Sequence, residues 1–465
     1  MNDNPENVNF LNKINIFIVL LGCCIVSAIT QTALTTALPA VMHNLQINAN
    51  TGQWLTSIYT LAMGIMIPVT PFLIKYFSTK KLFFITIIVF AIGLFLAAIA
   101  TNFQILLVGR VLQAFSSGIF LSLTQVIILQ IFPAEKVGTY MGIYGFAIGG
   151  VPVFAPTLAG VIVDNFGWQT IFIGSAVLVS LIFFYAIFTF KNVSENEQAS
   201  LDLWSVLLST IGFGGILLGL GNIGKLDFLS YEVCLPIVVG LCSLLLFVHR
   251  QLTIKEPLLN LIPFKNKNFV ISVLSSMILY AVMMAGSIMI PLYLQSLRGD
   301  SATVAGLVTL PGSIVLMVVS PVSGKIYDKF GIKFLLVLGS ILLFISCIGL
   351  TTLTGATSVI YISIIYGVRM FAIGLIMMPL VTWGIANLDN QLTTHASAIL
   401  TSLRTISGAV GSAVFVAIMT SVGHGRMSIH GMNISFFGLA MVALALIVLA
   451  AISFFSKKKM INFKI

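Results

Sequence analysis

Charge is scarce in this chain. Only 8% of its 465 residues are Asp, Glu, Lys or Arg and 58% are hydrophobic, against roughly 25% charged in an average soluble domain. A soluble fold of this length could not cover itself with so few ionic groups, so that class is excluded. Acids are the scarcer sign, with 13 Asp and Glu against 23 Lys and Arg. Cysteine is rare too: Cys23, Cys24, Cys234, Cys242 and Cys347 all lie in apolar runs, at spacings unlike a metal site. No nucleophile–base set and no phosphate-cradling glycine loop is present, which argues against an enzyme and against an ATP-driven pump. No cofactor or metal is expected.

What the chain has instead is long apolar runs, each about 20 residues and able to cross a bilayer. Fourteen are predicted, at 14–38, 53–74, 81–101, 104–130, 138–163, 168–190 and 203–221, then 232–249, 270–294, 303–324, 334–352, 358–385, 397–421 and 434–455. The first is long and polar in its second half, so it reads as a retained helix and not as a signal peptide. The chain is therefore an all-α polytopic membrane protein.

Basic residues set the expected orientation, because cytoplasmic loops hold the excess of Lys and Arg. With the N-terminus inside, 17 of the 23 fall on the cytoplasmic side, 3 on the outer side, and Arg110, Arg369 and Arg404 within helices. Both termini are thus expected inside. The net charge of +10 is a topology signal, and with no basic domain, no nucleic acid is expected as a partner. The expected partners are the lipid bilayer and a small hydrophobic or amphipathic substrate; a monomer is expected.

The breaks at 191–202 and 250–269 are too short to bury a core, and the second is amphipathic enough to predict a helix along the membrane surface. PVTPFLIKYFSTKK (68–81) aligns without gaps on PVSGKIYDKFGIKF (321–334), which implies two related halves. The expected organisation is a six-helix bundle over 1–190, two inserted helices and a linker over 191–269, and a second six-helix bundle with a tail over 270–465. Two repeats around a midplane site form the general layout of a secondary transporter.

Several motifs refine this. SGKIYDKFGIKF (323–334) places Gly324 for close helix approach, Asp328 for a helix N-terminus or an Arg, and Gly331 for a tight turn. Its first-half copy has Pro71, Lys75 and Ser78 at those places, so that half is expected to be latched more weakly. LLVGRVLQAFSSG (106–118) carries Arg110 and Gln113. Gly145, Gly149, Pro152, Pro156 and Gly160 recur every three or four residues, one face of a helix suited to close packing and a kink. LRTISGAVGSA (403–413) carries Arg404, and ITQTALTTALP (29–39) opens with Thr30 and Gln31.

The 323–334 segment resembles the cytoplasmic-loop signature of the major facilitator superfamily. Residues 106–118 resemble its RxxQG motif, and 145–172 its antiporter motif. Residues 29–39 resemble the LDxTIVNVALP motif of the fourteen-helix drug:H+ antiporter-2 family. The resemblance implies the superfamily fold, two six-helix bundles plus two inserted helices. It also implies alternating-access export of hydrophobic compounds driven by proton entry, in a bacterial cytoplasmic membrane.

Ala114 stands where RxxQG has its Gly, and a further departure from that family lies in helix 1. Its helix-1 acid is matched here by Thr30, and no other Asp, Glu or His is expected near the membrane centre: the acids are expected in loops, tails or first helical turns, and the histidines near the interfaces. A buried carboxylate is the usual proton carrier and the usual partner for a cationic drug. Its absence favours a neutral, zwitterionic or anionic substrate. Arg110, Arg369 and Arg404 are buried cations without a visible acidic partner; they either bond backbone and polar side chains such as Gln31, in structural or gating roles, or contact an anionic group. Ser27, Gln31 and Thr35 form a polar stripe on helix 1 that faces a cavity or packs; Tyr280, Met284 and Trp383 are candidate linings from the second half. Two other readings stay open: an exporter of anionic amphiphiles recognised by arginine, and a transport-incompetent sensor or scaffold.

Overall fold

The computed structural model describes residues 10–47, 49–193, 202–222, 230–254, 257–300, 302–386, 388–422 and 428–455. Most of the 191–202 connection and the basic tail at 456–465 lie outside them. Among the described residues the regular structure is all helical. The first half contains α1 (Phe10–Leu45), α2 (Ala49–Tyr76), α3 (Thr79–Ala98), α4 (Phe103–Ile131), α5 (Ala134–Gly145), α6 (Val151–Phe166) and α7 (Gln169–Thr189). Then come α8 (Leu203–Asn222) and α9 (Tyr231–Thr253). The second half contains α10 (Lys267–Leu292), α11 (Ala302–Phe330), α12 (Ile332–Gly349), α13 (Val359–Ile385), α14 (Asn390–Val422) and α15 (Ile429–Phe455).

Twelve of these are long and apolar enough to cross a membrane among the described residues, and α8 is a shorter apolar helix. The fourteenth span is α5 and α6 joined by a π-helical turn, Phe146–Gly150. Every predicted span therefore has its helix. Large side chains such as Leu181, Phe184 and Phe188 on α7 or Leu245 and Leu246 on α9 are exposed, as suits a lipid-facing surface where the backbone satisfies itself internally. Polar residues mark the ends: Ser78 and Asn102 accept from the backbone N–H groups of Lys81 and Ile105. Gly331, at φ 73°, makes the sharp turn between α11 and α12.

The two halves repeat their packing. In the first, α1 packs on α6 and α7, α2 on α4, and α3 on α4 and α7; in the second, α10 packs on α14 and α15, α11 on α13, and α12 on α13 and α15. The inserted α8 and α9 pack on each other, where a Cβ on Gly215 would lie 2.6 Å from the Pro236 carbonyl, and α8 rests against α2 and α14.

Two expectations are corrected. Among the described residues of 250–269 there is no separate surface α-helix: α9 runs on to Thr253, α10 begins at Lys267, and the rest is irregular apart from one 3-10 turn, Ile262–Lys265. Its backbone is fixed by side chains, with Leu259 N–H donating to Gln251 Oε1 at 3.1 Å and Asn260 N–H to His395 Nδ1 at 3.3 Å. The small-residue face of helix 5 is also not continuous. Pro152 has no N–H to give the carbonyl four residues back, and the chain adjusts by one i to i+5 bond, Val151 N–H to Phe146 O. The turn leaves Gly145 and Gly149 against α11 and α13, while a Cβ on Gly160 would meet nothing within 4 Å. Pro152 is half-buried, and the side chain of Pro156 lies outside the described set.

Candidate functional site

Three buried arginines organise the interior. Burying an arginine at a membrane helix centre costs roughly 2.5–3.5 kcal/mol on insertion scales unless it is compensated, so its partners are informative. Arg110 on α4 is fully buried. Its Nη1 donates to the Thr30 carbonyl at 3.2 Å and to Gln113 Oε1 at 2.9 Å, while Gln113 Nε2 reaches the Gly93 carbonyl at 2.9 Å. The guanidinium lies over the Tyr59 ring, 4.1 Å from its centroid. Tyr59 in turn bonds Ser117 Oγ at 2.6 Å, and Ser27 donates to Ser117 at 2.6 Å. Four helices, α1 to α4, are thus tied by one polar knot.

Arg369 on α13, the counterpart of α4, repeats the plan. It is fully buried; its Nη2 donates to the Val282 carbonyl of α10, the counterpart of α1, and its Nη1 reaches Cys347 Sγ at 3.8 Å. Gly286 makes the room, since a Cβ there would run into the guanidinium. Arg110 and Arg369 each hold the fourth helix of a half to the middle of its first helix.

Arg404 on α14 differs. It is 3% exposed, lies over the Tyr280 ring of α10 at 5.0 Å, and is within electrostatic reach of Tyr144 on α5 in the other half. Among the described residues none of the three guanidiniums meets a carboxylate, and each keeps at least one buried nitrogen without a hydrogen-bond partner.

The halves meet most closely where α5 crosses α11. Gly138 and Gly324 face each other so tightly that a Cβ on Gly324 would strike the Gly138 carbonyl. Asp328 accepts from the backbone N–H groups of Gly138 and Thr139 at 2.7 and 2.8 Å and from the Thr139 hydroxyl at 2.6 Å. The motif thus holds one half to the first turns of a helix in the other. The matching place in the first half is Lys75 at the end of α2, within electrostatic reach of His395 on α14. Thr139 and His395 are each the sixth residue of their helix. One crossing carries an acid on helix N–H groups; its pseudo-symmetric partner carries a cation beside a histidine.

The other candidates divide. Thr30 is fully buried, its hydroxyl turned onto the carbonyls of Val26 and Ser27. The expected Gln31–Arg110 contact is not made: the Thr30 carbonyl and Gln113 take that place, and Gln31 stays half-buried. Thr35 is exposed and bonds the Thr32 carbonyl at 2.6 Å. Tyr280 and Met284 come together over Gly408 of α14, where a Cβ would lie 3.3 and 2.9 Å from them. Trp383 is half-buried on α13. Asp164 and Asp328 fall in the last turns of α6 and α11 and not in loops. Tyr59, Ser117, Tyr144, Gly286 and His395 were not singled out by sequence; nothing in their local sequence sets them apart from neighbouring polar or small residues, and only partner helices select them.

A twelve-plus-two helical bundle with glycine-crossed halves and arginine-tied interiors is a membrane transporter. The Major Facilitator Superfamily pattern matches residues 20–412. The uncharacterized MFS-type transporter YcnB of Bacillus subtilis is 35% identical over 96% of this chain and 95% of its own. The lincomycin resistance protein LmrB of the same organism is 37% identical over 89% of this chain and 87% of its own. The human organic anion transporter MFSD10 (TETRAN) superposes with a TM-score of 0.68 over 94% of this chain and 99% of its own at 11% identity, a likeness that speaks for the fold alone. The chain belongs to the major facilitator superfamily.

Proposed function

We propose that this protein is a secondary active exporter of hydrophobic or amphipathic compounds, working by alternating access and driven by proton entry. It sits in a bacterial cytoplasmic membrane as a monomer with both termini inside, so the face carrying Lys75 and Lys329 is cytoplasmic. The halves at 1–190 and 270–465 rock against each other, and the residues at 191–269 follow them.

The observation that carries the reading is the crossing of α5 on α11. Gly138, Gly142 and Gly145 meet α11 and α13 on the cytoplasmic side, with Asp328 across the joint. Three charge-assisted bonds and a backbone-close glycine contact make a joint that is either closed or broken, as two-state access requires. Kinship with a lincomycin resistance protein supports a drug-like cargo. The proton's carrier is not a helix-1 carboxylate, because Thr30 stands there.

Purified protein in liposomes tests this. We expect a lipophilic dye to accumulate or leave at a rate that changes with an imposed pH gradient. Transport indifferent to both pH gradient and membrane potential would remove proton coupling. No movement across a panel of cationic, neutral and anionic amphiphiles would remove the exporter reading in favour of a sensor.

A further inference from the structure

The hydrogen bonds that Arg110 and Arg369 make stay inside their own halves. Arg404 differs, and polar groups on its helix run along the seam between the halves. On α14, Ser397, Thr401 and Arg404 follow at four and three residues and so share one face. On α4, Ser122 and Gln125 lie one turn apart. Thr401 Oγ1 donates to Gln125 Oε1 at 3.0 Å and pins these two faces together. The remaining groups are idle: Gln125 Nε2, Ser122 Oγ, Ser397 Oγ and the Nε and Nη1 of Arg404 are buried without a hydrogen-bond partner.

The inventory is rich in donors. It offers two guanidinium nitrogens with three N–H donors, an amide NH2 and two hydroxyls, and among the described residues no carboxylate pairs with Arg404. Buried donors in native proteins find partners, and a cluster with one positive charge and no acid fits an anion. An apolar floor adjoins it. Tyr280 lies under the guanidinium, and Met284 packs beside Tyr280 over Gly408. Head group and tail are thereby both provided for.

We propose that the seam around Arg404 and Gln125 is a binding site for the anionic head group of an amphiphile, whose apolar tail lies along Tyr280 and Met284. A planar carboxylate suits the fork of Arg404 and the amide of Gln125. The site draws on α4 from one half and α10 and α14 from the other, so its occupant bridges the parts that move. This rests on the exporter reading and names the substrate class within it.

Binding and transport are measured separately, so that the two can fail separately. The full chain in phosphatidylcholine nanodiscs is titrated with dansylated undecanoic acid, its methyl ester, and the matching dansylated alkylamine. The acid is expected to bind at least about tenfold tighter than the ester and to raise the unfolding temperature more. Arg404→Gln should abolish that preference while ester binding stays, and Arg404→Lys should restore part of it. Equal affinity for acid and ester in the unaltered protein overturns the proposal even if Arg404→Gln fails to fold. An unchanged acid preference in Arg404→Gln overturns it too. Loss of acid binding when phosphatidylglycerol replaces part of the phosphatidylcholine assigns the site to a lipid head group and overturns the substrate assignment. Liposome counterflow with the same three probes then reports on export: selective binding without movement of any probe keeps the site and sinks the exporter.

Discussion

Thr30 turns its hydroxyl back on its own helix while its carbonyl receives Arg110. The acid of the resembled motif would therefore stand beside a guanidinium that still has two idle nitrogens. A carboxylate placed there by Thr30→Asp pairs with Arg110 before it can serve a cationic drug. We expect Thr30→Asp to be tolerated in the presence of Arg110, but to cost about 3–5 kcal/mol in an Arg110→Gln background, where it is a buried charge without a partner. Thermal unfolding of the four proteins of that double-mutant cycle measures it; additive effects would show that the two positions do not meet. The sequence marked both residues and could not supply the pairing, because a carbonyl partner leaves no trace in residue type.

At the scale of elements, the crossing of α5 and α11 is the part of the site that was most legible beforehand. Gly324 makes the close approach, Gly331 takes the positive-φ turn, and Asp328 accepts from backbone N–H groups in the second turn of α5. Asp328→Asn keeps the shape and removes the charge, weakening the joint by about 1.5–3 kcal/mol, roughly a ten- to hundredfold shift toward the form in which this joint is open. Cysteine-accessibility labelling at the ends of α5 and α11 reads that shift, and unchanged labelling would remove Asp328 from the joint. Gly324→Ala should do the same by sterics, since the Cβ meets backbone that has no rotamer to yield. Helix 5 was legible only in part. Its small residues were visible, but the π turn that redirects them depends on where Pro152 leaves a carbonyl to be satisfied.

Across the whole molecule the pseudo-symmetry is clear in packing and broken in chemistry. Asp328 at one crossing is answered by Lys75 at the other, where His395 accepts from Asn260 N–H of the segment that follows α9. Lys75→Asp should restore a helix-terminus acid worth about 0.3–1 kcal/mol, a roughly two- to fivefold bias toward the closed form, and slow export accordingly; an unaltered rate would mean that the α2–α14 crossing does not limit turnover. The inserted pair is fastened nearby: Arg250 grips Asp202 with two bonds of 2.8 Å, Ser205 donates to the same carboxylate, and Gln251 donates to Ser205 at 2.6 Å. Arg250's hydrogen bond holds the Asp202 carboxyl down to about 2. A depressed acid contributes stability above its unfolded value of about 3.9, and that contribution is lost as pH falls through the folded value. Between pH 5 and 8 this fastening does not titrate. The pH profile of transport by Asp202→Asn is therefore expected to run parallel to that of the unaltered protein, and a changed profile in that window would place Asp202 in the proton path.

The sequence by itself determined the class, the fourteen spans, the repeat and the place of a missing acid, because bilayer thickness, hydropathy and motif spacing are local properties of the chain. Tertiary structure alone decided what each buried polar group is for. Arg110, Arg369 and Arg404 read alike in sequence. They separate only when α1 and α10 bring carbonyls to the first two, while the third lies over the Tyr280 ring, one turn along α14 from the bond of Thr401 to Gln125 across the seam. Burial makes a polar atom's energy depend on its neighbours across helices, and those neighbours are far apart in the chain.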